Sequence, residues 1–141
     1  MSTSASGLNK TPAQLFGLVF GVVYLVVGLV GFAVTGFDNF AGETNEKLIV
    51  FALNPLHNIA HIGVGALLLV GSSRHETAKS MNLLVGVVYL LLAILGFAGV
   101  LVDEILNVNS ADNFLHIGTA ALALYFGTVG ADAMPGAART A

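Results

Sequence analysis

Apolar residues gather in four long runs along the chain, at residues 13–36, 48–70, 83–102 and 111–130, with short polar stretches between them. A helix needs about 20 apolar residues to cross the hydrocarbon of a bilayer. Runs one, three and four meet that length. The second is interrupted by Asn54-Pro55. Asparagine is a good N-cap, and proline at the first helical position sacrifices no hydrogen bond. The pattern therefore predicts a short second helix over 55–70, with 48–53 as a separate turn at the membrane interface. One longer helix kinked at Pro55 is the alternative. The first run exceeds the roughly 7–15 residues of a signal-peptide core and reads as a retained span.

The four runs form two similar pairs. Gly21-Val22-Val23-Tyr24-Leu25 in run one recurs as Gly86-Val87-Val88-Tyr89-Leu90 in run three, and both lead to a Gly-Phe pair, Gly31-Phe32 and Gly96-Phe97. Runs two and four share Asn54, Asn58 and His61-Ile62-Gly63 against Asn109, Asn113 and His116-Ile117-Gly118. Apolar segments match one another cheaply. Asn, His, Tyr and Gly at fixed spacing do not. The expected architecture is an all-α integral membrane protein, a four-transmembrane-helix bundle made of two tandem helical-hairpin repeats, at 13–71 and 83–130. A polar tail at 1–12, a cytoplasmic loop at 72–82 and a C-terminal tail at 131–141 complete the chain. Each repeat crosses twice, so both copies insert the same way, and their twofold axis is expected along the membrane normal.

Small residues mark the seams. Gly17, Gly21, Tyr24, Gly28 and Gly31 recur at alternating spacings of four and three, as do Asn82, Gly86, Tyr89, Ala93 and Gly96. This is the rhythm of a left-handed helix pair, filled with residues that let membrane helices approach closely.

Composition strengthens the membrane reading. Of 141 residues, 56% are hydrophobic and 9% charged, against roughly 25% charged in soluble domains. Cysteine is absent, which excludes disulfides and thiolate chemistry. A net charge of −3, with no basic stripe, gives no case for nucleic acid. The basic residues set the orientation. Lys10, Arg74, Lys79 and Arg139 fall on one side of the four runs and only Lys47 on the other. By the positive-inside rule both termini and the middle loop are cytoplasmic, in a multi-pass protein of the cell membrane.

One polar constellation lies within the runs. His57, Asn58 and His61 open the second helix, Asn113 and His116 the fourth, while Tyr24 and Tyr89 sit mid-helix on the seams. Ionisable residues within spans are rare and are candidate sites by default. The first reading is structural: both His61 and His116 face the interior and hydrogen-bond to Tyr or Asn, locking the hairpins together. The second is a metal or haem site on His57, His61 and His116, since imidazole suits zinc, copper and haem iron. The third is a proton or small-solute path, against which stands the placement of every acid in loops or tails. No nucleophile–histidine–acid set appears inside the membrane, so the chain reads as non-enzymatic. Its expected partners are lipid and other membrane subunits, or a second copy. His75, in a polar stretch, reads as solvated loop.

The paired Gly-Val-Val-Tyr-Leu and Asn-x-x-His-Ile-Gly patterns resemble a bacterial family of small four-span membrane proteins carried as a domain of unknown function. The resemblance spans roughly 11–130 and is most specific at Pro55–Gly63 and His116–Gly118. It implies fold and membrane location, and it transfers no catalytic residue.

Overall fold

Each helix begins where a side chain can satisfy its first free N–H groups. In a computed structural model, which describes residues 10–132, Thr11 caps α1 (Pro12–Thr35) in a capping box with Gln14. Asn54 caps α2 (Pro55–Gly71), accepting from the His57 N–H at 2.8 Å. The second helix thus starts at Pro55, as the capped reading has it. Asn109 plays the same part for α5 (Ser110–Gly127), here boxed with Asp112. The chain is mostly helical, with α3 (His75–Phe97) and the short α4 (Val102–Leu106) completing the helices. Arg139 and most of both tails lie outside the described residues.

Three segments differ from the sequence pattern. Residues 48–53 form no helical turn. Lys47–Leu48 (β1) pairs antiparallel with Phe51–Ala52 (β2) in a minimal hairpin. Helix α3 begins at His75, so most of the expected loop at 72–82 is helical. Its first turns alternate exposed polar residues with buried Ala78 and Asn82, and Glu76 in the first turn suits the helix dipole. An amphipathic start of this kind carries no apolar run to announce it. The same helix stops at Phe97 rather than continuing to Val102, because the chain turns through Gly99 at a φ of +65°.

Helix α1 packs along α2, and α3 along α5. The buried residues of α1 are Ala13, Phe16, Gly17, Gly21, Tyr24, Gly28 and Gly31, and those of α3 include Asn82, Gly86, Tyr89, Ala93 and Gly96. Both seams read from the sequence are therefore buried. The faces turned outward are large and apolar: Val19, Val22, Val26 and Leu29 on α1, and Leu84, Val87, Leu91 and Ile94 on α3. Small and polar inside, large and apolar outside, is the reverse of a water-soluble bundle. Helices α1 and α3 are long and apolar enough to cross a membrane.

At one end the connecting segments interlock. Asn54 Nδ2 donates to Gly42 O at 3.0 Å and Ile105 O at 2.9 Å. Asn107 Nδ2 donates to Thr44 Oγ1 and to Leu53 O, each at 2.9 Å. Asn109 Nδ2 reaches Val50 O at 2.8 Å. The two connections are thus stitched into one layer across the N-termini of α2 and α5.

At the other end, one imidazole joins three segments. His75 Nδ1 lies 2.8 Å from Thr11 Oγ1, and Nε2 lies 3.2 Å from Asp132 Oδ1. His75 is therefore a half-buried clasp rather than a solvated loop residue. Thr11 Oγ1 is also the N-cap acceptor of α1, at 3.4 Å from the Gln14 N–H.

Candidate functional site

The first two turns of α2 and α5 face each other beneath the interlocked layer. Four residues apart, His57 and His61 share one face of α2, with ring centroids 4.4 Å apart. His116 approaches from α5, 6.3 Å from the His57 ring. Ligand atoms of the three histidines all lie within 4.8 Å of one another. All three are buried, at 2%, 4% and 2% exposure.

Two tyrosines wall the cluster. Tyr24 packs on His61 at 5.3 Å, and Tyr89 meets His116 edge-on at 4.9 Å. The tyrosine rings also touch each other, at 5.3 Å. These contacts are favourable aromatic arrangements, but they are not the hydrogen bonds expected of a structural cluster. Among the described residues, neither nitrogen of His61 has a hydrogen-bond partner, nor has Nδ1 of His57 or of His116. The Tyr24 hydroxyl is already used: it shares a 2.6 Å hydrogen bond with Thr119 Oγ1.

The asparagines have separate work. Asn58 Nδ2 donates to Thr35 Oγ1 at 2.9 Å. Its side chain packs directly on Gly31, as that of Asn113 packs on Gly96. They hold the hairpin ends rather than the imidazoles.

Three participants were not legible beforehand. Thr119 belongs to none of the repeated patterns, and only its position opposite Tyr24 gives it a role. Asn82, read only as a seam residue, is fully buried and donates to Ala13 O at 3.0 Å. Asp112 was counted with the loop acids, yet it is 1% exposed in the first turn of α5. Its Oδ2 accepts from Asn109 N at 2.9 Å and Ala52 N at 3.2 Å. The spacing Asn109-x-x-Asp112 is that of a capping box, and this was the signal that could have found it.

Tyr24→Phe is expected to lower stability by about 1 kcal/mol, because it strands the buried Thr119 hydroxyl. Tyr24→Phe with Thr119→Val should fall closer to wild type than the two single changes added together. Equilibrium unfolding in detergent checks this; strict additivity would show that the bond carries no coupling.

The fold and this cluster define a class: a small helical protein, apolar outside, with histidine and tyrosine gathered inside its bundle. The particular family follows from the sequence. The family described as domain of unknown function DUF4383 matches residues 14–129, and the chain belongs to it. No curated protein and no solved structure matches the chain.

Proposed function

We propose that this chain is a four-span protein of the cell membrane, built from two tandem hairpins, and that it serves as a non-enzymatic structural module or an accessory subunit of a larger membrane complex. The observation that carries the reading is the recurrence of the same contacts in both hairpins. Gly31 packs on Asn58 as Gly96 does on Asn113, and Gly21 packs on Leu69 as Gly86 does on Leu124. Tyr24 lies on His61 as Tyr89 does on His116. Tyr24 and Tyr89, equivalent under that correspondence, touch each other, as residues on a twofold axis must.

In this reading α2 and α5 also span the bilayer. At 17 residues, α2 is about 25 Å long, and the interlocked layer above it completes the crossing. Lys10, Arg74 and Lys79 gather at the opposite end, which makes that end cytoplasmic. The exposed apolar faces of α1 and α3 then meet lipid or the helices of a partner.

Alkaline phosphatase is active only outside the cytoplasm. Fused after Ala141 it is expected to be silent, and inserted after Asn39 it is expected to be active. The reverse pattern would overturn the orientation, and activity at both sites would overturn the hairpin topology. Mild-detergent extracts from native membranes are expected to carry the chain in an assembly larger than itself. A lone monomer there would defeat the accessory-subunit reading.

A further inference from the structure

We propose that His57, His61 and His116 together bind one transition-metal ion, Zn2+ or Cu+, inside the helix bundle. This goes beyond the structural reading and does not depend on orientation or on any partner.

A neutral imidazole carries one N–H donor and one lone pair, and a buried one normally has both satisfied. Here four ring nitrogens in three adjacent buried histidines have no hydrogen-bond partner among the described residues. A single cation takes one lone pair from each of the three rings, and the other nitrogen of His61 keeps its N–H. The geometry suits it. The ligand atoms lie within 4.8 Å of one another. In a tetrahedral site with metal–nitrogen bonds of about 2.0–2.1 Å, ligand atoms stand roughly 3.4 Å apart. Small rotations of the three rings cover the difference.

The donor set selects the ion. Three imidazoles bring no oxygen, which disfavours Ca2+ and Mg2+, and nitrogen donors suit zinc and copper. All three donors are neutral. The total charge therefore stays that of the ion, which favours Cu+, whereas Zn2+ would recruit an anion to its fourth position. Haem does not fit, because rings packed at 4.4 to 6.3 Å leave no slot for a macrocycle.

The surroundings serve the same end. Tyr24 and Tyr89 pack on the rings of His61 and His116 and limit how far they can turn. The site lies in the first turns of α2 and α5, beneath the interlocked layer rather than in the middle of the bundle. On that same end a cavity of about 470 Å³ is lined by Glu43, Lys47, Ala52, Asp103, Asn107 and Asn109, among others. Its two carboxylates outnumber the Lys47 ammonium, which leaves its lining net negative.

The test uses the full chain in detergent, stripped with chelator and then titrated with Zn2+, with Co2+ as a coloured probe, and with Cu+ under reducing conditions. The expected result is one ion retained per chain in the zinc arm, the copper arm or both, with nitrogen scatterers alone from the protein in X-ray absorption. His61→Gln and His116→Gln are expected to weaken binding by more than the roughly 10–100-fold that loss of an outer hydrogen bond costs. His75→Gln should bind as wild type does. Bound metal should also shift the imidazole signals of the three histidines in NMR spectra of the unaltered protein, and leave those of His75 in place, a readout that survives if a variant misfolds. Failure of stripped, folded protein to retain any of the three ions would overturn the proposal. So would retention that is unchanged in both glutamine variants, or an oxygen-only ligand set.

Discussion

Gly65→Leu is expected to break the native packing of α1 on α2, while Gly63→Leu on the same helix leaves the protein close to wild type. The two glycines are two residues apart, yet they face opposite worlds. A Cβ at Gly65 would lie 2.5 Å from Leu25 N, 2.8 Å from Gly21 O and 2.9 Å from Leu25 Cα. All three are backbone atoms of α1, so no side chain can swing aside. The helices would have to separate, and Tyr24 would be drawn off His61. Overpacking a well-filled interior costs about 1–3 kcal/mol for modest insertions, and a leucine against backbone belongs above that range. At Gly63 nothing lies within 4 Å of the corresponding position, so the new side chain extends outward. Unfolding midpoints of the purified variants make the comparison. Equal midpoints for the two would mean that α1 and α2 do not meet at Gly65.

The second large effect is expected at Asn54. This fully buried side chain does three things at once. Its carbonyl oxygen caps α2, and its amide nitrogen holds Gly42 O and Ile105 O. Losing a cap costs about 1 kcal/mol, and each of the two part-buried amide hydrogen bonds contributes about 0.5–1.5 kcal/mol. Asn54→Ala is therefore expected to cost about 2–4 kcal/mol. Asn54→Ser keeps a capping oxygen and loses the amide, so it should recover roughly the cap alone. The same unfolding measurement separates them, and an alanine variant within about 0.5 kcal/mol of wild type would show that the layer stands without Asn54.

What could be read in advance followed from local rules. Asn54-Pro55 marked the start of α2 because capping and proline geometry act within a few residues. The glycine and tyrosine seams were legible because periodicity survives into packing. The start of α3 at His75 was not, since its first turns are polar and carry no apolar run. The hairpin at Lys47–Ala52 was missed because two residues per strand leave no alternation to detect. At the site, the four-residue spacing puts His57 and His61 on one face, and the repeated His-Ile-Gly pattern pairs His116 with His61; the structure brings the three rings close. Their bonding was not legible. The expectation of Tyr or Asn partners failed because the Tyr24 hydroxyl is turned to Thr119, a residue 95 positions away, and the Asn58 amide to Thr35. Such choices are settled by the relative rotation of whole helices, which no local window contains.

The Tyr24–Thr119 bond carries one more consequence. Thr119 stands three residues after His116, and Val64 stands three after His61. Tyr89 consequently has no hydroxyl waiting in the mirrored place. Under the repeat reading, a molecule spliced from two first hairpins would form neither tyrosine–threonine bond, and one spliced from two second hairpins would form both. The halves are thus no longer interchangeable parts. Made as separate polypeptides, two mixed pairs would hold as many of these bonds as one pair of each kind, so the hydroxyl would reward the second hairpin in any pairing, and the first hairpin would gain the bond only by meeting a second.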